Sequence, residues 1–280
     1  MRAAFTRGWL GRWSAVLLLL ALYVFMFAPL VVVVGASFGS GDRVYVSFPP
    51  EKLSLEWYWR VPRRFYETLG ISLLLAVTTA MAASLIAVPA SLGLVRGRFR
   101  GKQLFDILLR APLQIPFVVT GIAFLQVYYL LGDAVGLHLR GQFLGLLLGH
   151  LFLTTPYVVG TVAAVLHRFN PRLEEAALSL GASRIRAFRR VTLPIIMPGV
   201  YAGALYAFIV SFGEVPVALF LASPAYTTFP VEMFTSMQFD FNPSLLSVST
   251  LILVFSLILL VLLQRMIGLD ALLRAGTGRQ

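Results

Sequence analysis

The stretch NPRLEEAALSLGASRIRAFRRVTLPIIMPG, residues 170–199, is polar and cationic, yet apolar runs long enough to cross a membrane flank it. Asn170 is a good N-cap and Pro171 suits a first helical position. Glu174 and Glu175 then fall in the first turns, where the helix dipole favours anions. Leu173, Ala176, Ala177 and Leu180 recur at helical spacing and form one small-residue face. Gly181 is placed to end this helix in a left-handed turn. Ser183 can cap a second short helix carrying Arg184, Arg186, Arg189 and Arg190, and Pro194 and Pro198 mark the start of the next apolar run.

Outward from this knob the chain is hydrophobic almost throughout. Of its 280 residues, 59% are hydrophobic and only 12% charged, with a mean hydropathy of +0.85; soluble domains average about 25% charged. Six apolar runs are read as spans: 13–38, 69–95, 104–131, 143–166, 191–222 and 245–267. Each can cross the ~30 Å of hydrocarbon at about 1.5 Å per residue. The first follows Arg2, Arg7 and Arg12, but its apolar run is too long for a signal peptide core, so it reads as a retained anchor. The expected organisation is an N-terminus at 1–12, a six-span domain at 13–267 containing the loop 167–190, and a tail at 268–280.

Basic residues set the expected orientation. The N-terminus, the loop at 96–102, the loop at 168–190 and the tail, counted with Arg265 at the end of the last span, together hold sixteen Lys and Arg. The opposite side holds six, namely Arg43, Lys52, Arg60, Arg63, Arg64 and Arg140. The positive-inside rule then places both termini and the 167–190 loop in the cytoplasm. The same rule accounts for the net charge of +11 without a nucleic-acid partner. With no cysteine, the chain has neither disulfides nor thiol chemistry.

A loop lying on lipid headgroups would explain the arginines of 170–199. It would not explain the Ala176–Ala177 face, because interfacial helices usually present bulky apolar residues. Small residues beside an acidic pair suit close docking into a groove on another protein.

Glu175-Ala176-Ala177, three residues, Gly181, nine residues, Val191 and then Leu193-Pro194 resembles the EAA loop of permease subunits in ABC-type importers. The family pattern has isoleucine where this chain has Val191. Nearly the whole chain is similar to the shorter, C-type subunit of spermidine/putrescine permeases. The further landmarks are FAPLVVVVGASF (27–38), RGRFRGK (96–102) and SFGEVPVALFLASPAYTTFPVEMF (211–234). The resemblance implies an all-α polytopic membrane protein with six transmembrane helices in the type I ABC importer permease (MetI-like) fold, located in the bacterial inner membrane. It further implies that Glu174, Glu175, Ala176, Ala177, Leu180 and Gly181 belong to a coupling helix seated in a cleft of a cytoplasmic ATPase. The implied partners are a second permease subunit, two ATP-binding cassette ATPase subunits and a periplasmic substrate-binding protein. Polyamines or related amines are the implied solutes, with an opine, an amino acid, ferric iron or an anion as alternatives within the same fold.

Ionisable groups at membrane depth are costly and usually functional. Glu214 lies in span five between Gly213 and Pro216, where the helix is expected to break; broken helices build binding sites at membrane depth. Related permeases carry aspartates in this segment, and Gly213 stands at the first of them, so the family role transfers to Glu214 alone. Two readings of Glu214 stand: a carboxylate on the substrate path, or a structural carboxylate bonded to the partner subunit. Asp240 is a second candidate for steering cations. Asp106 and Arg110 read as an intrahelical pair in span three, and His150 as a neutral histidine bonded to a neighbouring helix.

No P-loop, HExxH, zinc spacing or nucleophile elbow is present, which points away from an enzyme and leaves ATP to the partner ATPase. The chain itself is expected to carry no cofactor. A secondary transporter would show inverted repeats and several buried charges, and neither is evident.

Overall fold

The computed structural model describes residues 2–40, 48–239 and 242–267. Among these residues the regular structure is helical, and it divides into two units.

The first unit comprises residues 1–63 and 236–259. It holds α1 (Arg2–Ala36), the short α2 (Glu56–Trp59) and most of α12 (Ser244–Ile267). The apolar side chains of α1 are exposed from Val16 to Val31, a surface that only lipid or another protein can satisfy. Tyr58 on α2 reaches back to the end of α1, its hydroxyl 2.7 Å from Ser37 Oγ. Ser247 of α12 donates to the Ser37 carbonyl at 3.4 Å.

The second unit comprises residues 64–235 and 260–280. Its elements are α3 (Arg63–Arg96), α4 (Lys102–Arg110), α5 (Phe117–Val135), α6 (Phe143–Arg168), α7 (Arg172–Ser179), α8 (Arg184–Ala187), α9 (Leu193–Gly213), α10 (Pro216–Leu221) and most of α11 (Phe229–Phe239). α6 packs closely against α9. Gly199 and Gly203 form a G-x-x-x-G pair on α9 facing Val158, Thr161 and Val162 of α6. Small residues of this spacing let two backbones approach, the usual basis of helix association in lipid. The buried stripe of α3 follows the same rule: Ala80, Ala83 and Ala87 pack with Val158, Val159 and Val162 of α6 and Ile196 of α9. Ser91 donates across that seam to the Val159 carbonyl at 3.2 Å. A second cluster gathers Tyr128 of α5, Leu146 and Leu153 of α6, and Val217, Ala218 and Leu221 of α10.

Among the described residues five helices are long and apolar enough to span a membrane, and α12 adds a shorter apolar stretch at Ser244–Ile258. Two of the expected boundaries differ. The third span begins at Phe117, not near 104. Gly97 to Leu113 instead contains α4, which buries none of its residues, and a 3₁₀ turn at Ala111–Leu113. Pro112 and Pro116 explain the interruption, since each lacks the N–H that a continuous helix needs. Asp106 and Arg110 do pair, Nε to Oδ1 at 3.0 Å, but on α4 rather than within a span.

The fifth span is also reorganised. The basic helix α8 runs without a stop into α9, so that Arg184–Gly213 is one span. The join is a π-helical turn at Phe188–Thr192. Pro194 cannot donate to the Arg190 carbonyl, and a widened turn just before it relieves the ring's clash with that carbonyl. At its other end the span stops at Gly213, and residues 216–221 form the separate α10.

Candidate functional site

Two regions carry the sequence-derived candidates. The first is the 167–190 loop. Asn170 Oδ1 accepts from the Arg172 N–H at 3.1 Å, and Pro171 is already helical at φ −59°, ψ −25°. The helix α7 closes as a Schellman turn: Gly181 N–H donates to the Leu178 carbonyl at 2.9 Å and Ala182 N–H to the Ala177 carbonyl at 3.1 Å. This closure needs a left-handed residue, and Gly181 sits at φ +84°. Ser183 then caps α8 by accepting from the Arg186 N–H at 3.4 Å.

None of the residues of α7 is buried. Glu175 and Ala176 are exposed, Ala177 is half-buried, and Leu180 is 89% exposed. Leu173 and Ile185 add exposed apolar area nearby. Glu174 is turned the other way. Its Oε2 lies 2.7 Å from Arg96 Nη1, at the end of α3, and accepts from Thr192 Oγ1 at 3.0 Å, at the start of α9. Of these two adjacent acidic residues, Glu174 bonds to the ends of two spans, while Glu175 is exposed. A helical wheel sets them about 100° apart but does not show which one meets the spans, because the Arg96 and Thr192 partners come from distant sequence.

The second region is the break after α9. Glu214 is buried, and its two oxygens accept from the Val217 and Ala218 N–H groups at 2.7 and 2.8 Å. Pro216 has no N–H to satisfy, and Leu219 N–H donates to the Val215 carbonyl at 2.8 Å. Every donor in the first turn of α10 is therefore accounted for, a requirement where no water can substitute. His150 of α6 lies beside it, fully buried, with Nδ1 2.8 Å from Ser211 Oγ and Nε2 3.9 Å from Glu214 Oε2. The histidine thus bonds to a neighbouring helix, as expected. The network of His150, Ser211 and Glu214 was not predicted as a unit. Its signal in sequence is only that three polar residues fall in two apolar spans. Asp240 lies outside the described residues.

This geometry carries a prediction. Glu214→Ala leaves two N–H groups unpaired at membrane depth, each costing ~1–3 kcal/mol. Glu214→Gln restores one acceptor but turns an NH₂ group toward the other N–H. The expected order of thermal stability in detergent is wild type, then Gln, then Ala. Equal melting temperatures for all three would show that the carboxylate does not hold the break.

Among the described residues no three His, Asp or Glu side chains gather as a metal site.

Residues 82–269 match the family described as binding-protein-dependent transport system inner membrane component. The putrescine transport system permease protein PotI of Escherichia coli K12 is 35% identical over 244 residues, covering 86% of this chain and 85% of the relative. The spermidine/putrescine transport system permease protein PotC of the same organism is 30% identical over 243 residues, covering 86% and 89%. Among solved structures, a chain of the bacterial alginate ABC transporter in complex with alginate pentasaccharide-bound periplasmic protein superposes with a TM-score of 0.71. It is 17% identical and covers 93% of this chain and 94% of that one, so it speaks for the fold. With the expected helical permease fold in place and sequence identity of this extent, the chain belongs to the binding-protein-dependent transport inner membrane component family and is a multi-pass permease subunit of the inner membrane.

Proposed function

We propose that this chain is one of two permease subunits in an ATP-driven importer of polyamines such as putrescine or spermidine. The observation that carries the substrate class is 35% identity to a putrescine permease across 86% of the chain. In this reading α7 and its Gly181 turn form the coupling helix. The exposed Glu175, Ala176 and Leu180 meet one of two ATPase subunits, and Ala177 lets the backbone approach closely. Arginines in the loops and both termini support a cytoplasmic position for that face. A periplasmic binding protein delivers the solute on the opposite side. Glu214 shapes the path by fixing the break between α9 and α10, rather than by presenting a free carboxylate to the solute; Asp240 remains the second candidate on that path.

The test is purification of the complex through a tag on this chain, followed by uptake of labelled putrescine into ATP-loaded proteoliposomes. The expected result is co-purification of an ATPase and a second permease, with binding-protein-dependent putrescine uptake. Uptake of another solute but not of any polyamine would overturn the substrate assignment. A complex without an ATPase would overturn the coupling assignment. Reporter fusions at both termini check the orientation.

A further inference from the structure

Among the described side chains of α7, Glu174 alone bonds to a spanning helix. Its carboxylate joins three elements that are far apart in sequence. Arg96 is the last residue of α3, and Thr192 is the buried last residue of the π-helical turn that leads into α9. The Arg96 guanidinium also lies 4.8 Å from the ring centroid of Phe169, which closes α6. One side chain of α7 thus reaches the ends of α3 and α9 directly, and that of α6 through Arg96.

Little else fastens the loop at this point. An open pocket of about 620 Å³, lined by Arg96, Leu166, His167, Pro171, Glu174 and Glu175, lies where α7 meets these helix ends. The loop is therefore not close-packed here, and the Arg96–Glu174–Thr192 contacts bridge the gap. An ion pair with a quarter to a third of each side chain exposed contributes little to folding. Its geometry is nonetheless directional, since the charged bond at 2.7 Å and the threonine bond at 3.0 Å converge on the same oxygen. Thr192 also sits in the one π-helical segment among the described residues. Such turns are local departures from helix geometry and occur often at functional sites.

We propose that the Arg96–Glu174–Thr192 cluster is the linkage that makes spans two and five follow α7 when the ATPase moves it. Glu174 is then a positioning residue that acts on the spans, while Glu175 and the alanines face the ATPase. This inference rests on the coupling role proposed for the loop.

The chain has no cysteine, so labels can be placed at Ser179→Cys on α7 and Tyr201→Cys on α9 in the assembled transporter. In the wild-type background the distance between the labels is expected to stay fixed when an ATP analogue is trapped, because the two elements move together. In Glu174→Ala the distance is expected to change on trapping, and putrescine uptake per ATP to fall about tenfold, the equivalent of ~1.4 kcal/mol. Exchanging the charges, Arg96→Glu with Glu174→Arg, should restore the fixed distance, since the threonine hydroxyl can accept as well as donate. If Glu174→Ala does not assemble, Thr192→Val read against Thr192→Ser decides the same point, because valine keeps the shape and removes only the hydroxyl. Fixed distances and unchanged coupling in these variants overturn the linkage. Gly181→Pro serves as the reference. If it uncouples while the cluster variants do not, only the linkage fails; if it too leaves coupling intact, the coupling role of the loop fails with it.

Discussion

Gly181→Pro is expected to cut solute uptake per ATP by at least about tenfold, ~1.4 kcal/mol of lost coupling, while the chain still inserts and assembles. The reason lies in one turn. Gly181 holds φ +84° and donates its N–H to Leu178. Proline is locked near φ −65° and has no N–H. The substitution therefore removes one Schellman bond outright and forbids the backbone that makes the other. Leu180 and the end of α7 must then point elsewhere, and the surface offered to the ATPase is rebuilt. The damage stays local because no residue of α7 is buried. Gly181→Ala is the informative control. A Cβ there meets nothing within 4 Å, so alanine costs only the left-handed backbone, ~1–2 kcal/mol, and keeps the N–H. Uptake and ATP hydrolysis measured side by side should show proline uncoupled and alanine close to wild type. Equal transport by the two would mean that the direction of α7 does not matter, and the docking role of the loop would be lost.

The contrast between loop and spans explains what the sequence could disclose. The 170–199 stretch was legible in detail because its signals are local. Asn170, Gly181 and Ser183 each act on backbone within three residues, and all three do so as expected. The break at Glu214 was legible for the same reason, since Gly213 and Pro216 flank it. The partners of that carboxylate were not. The sequence leaves a contact with solute or with another subunit as the two readings of Glu214; the structure adds a pair of hydrogen bonds from the Val217 and Ala218 N–H groups of the same chain. Hydropathy alone could not place the start of the third span. Leu104, Phe105, Ile107 and Leu108 read as a continuation of the apolar run, yet they form the exposed face of α4. Pro112 and Pro116 were the available signal, and apolar count outweighed them. Glu174 shows the remaining limit. Its direction depends on Arg96 and Thr192, 78 and 18 residues away, and no local pattern encodes such a meeting.

The same limit applied to the packing of α6 against α9, although there the signal was present as Gly199-Val-Tyr-Ala-Gly203 within an apolar run. Gly203→Val is expected to give the largest loss of folded chain of any single substitution considered for this protein. A Cβ at Gly203 would lie 2.8 Å from Val158 Cα. That atom is backbone and cannot rotate away, so the helices must part. Lipid supplies no hydrophobic force to hold separated helices together, because association rests on close packing itself. Overpacking of this kind costs ~1–3 kcal/mol even in cores that can adjust, and valine adds two methyl groups beyond that Cβ. The separation would also pull Ser211 from His150, which it meets at 2.8 Å farther along the same seam. Gly160 isolates the effect. It lies on α6 in the same bundle, and a Cβ there meets nothing within 4 Å. Gly160→Ala should be neutral or gain up to ~1 kcal/mol from helix propensity; Gly203→Ala should lose more than that same propensity returns. The measurement is the amount of monodisperse chain recovered from membranes, with its melting temperature in detergent, for Gly160→Ala, Gly203→Ala and Gly203→Val. A ranking in that order supports direct backbone contact between α6 and α9. Recovery of Gly203→Val at the level of Gly160→Ala would mean that the two helices do not meet at this glycine.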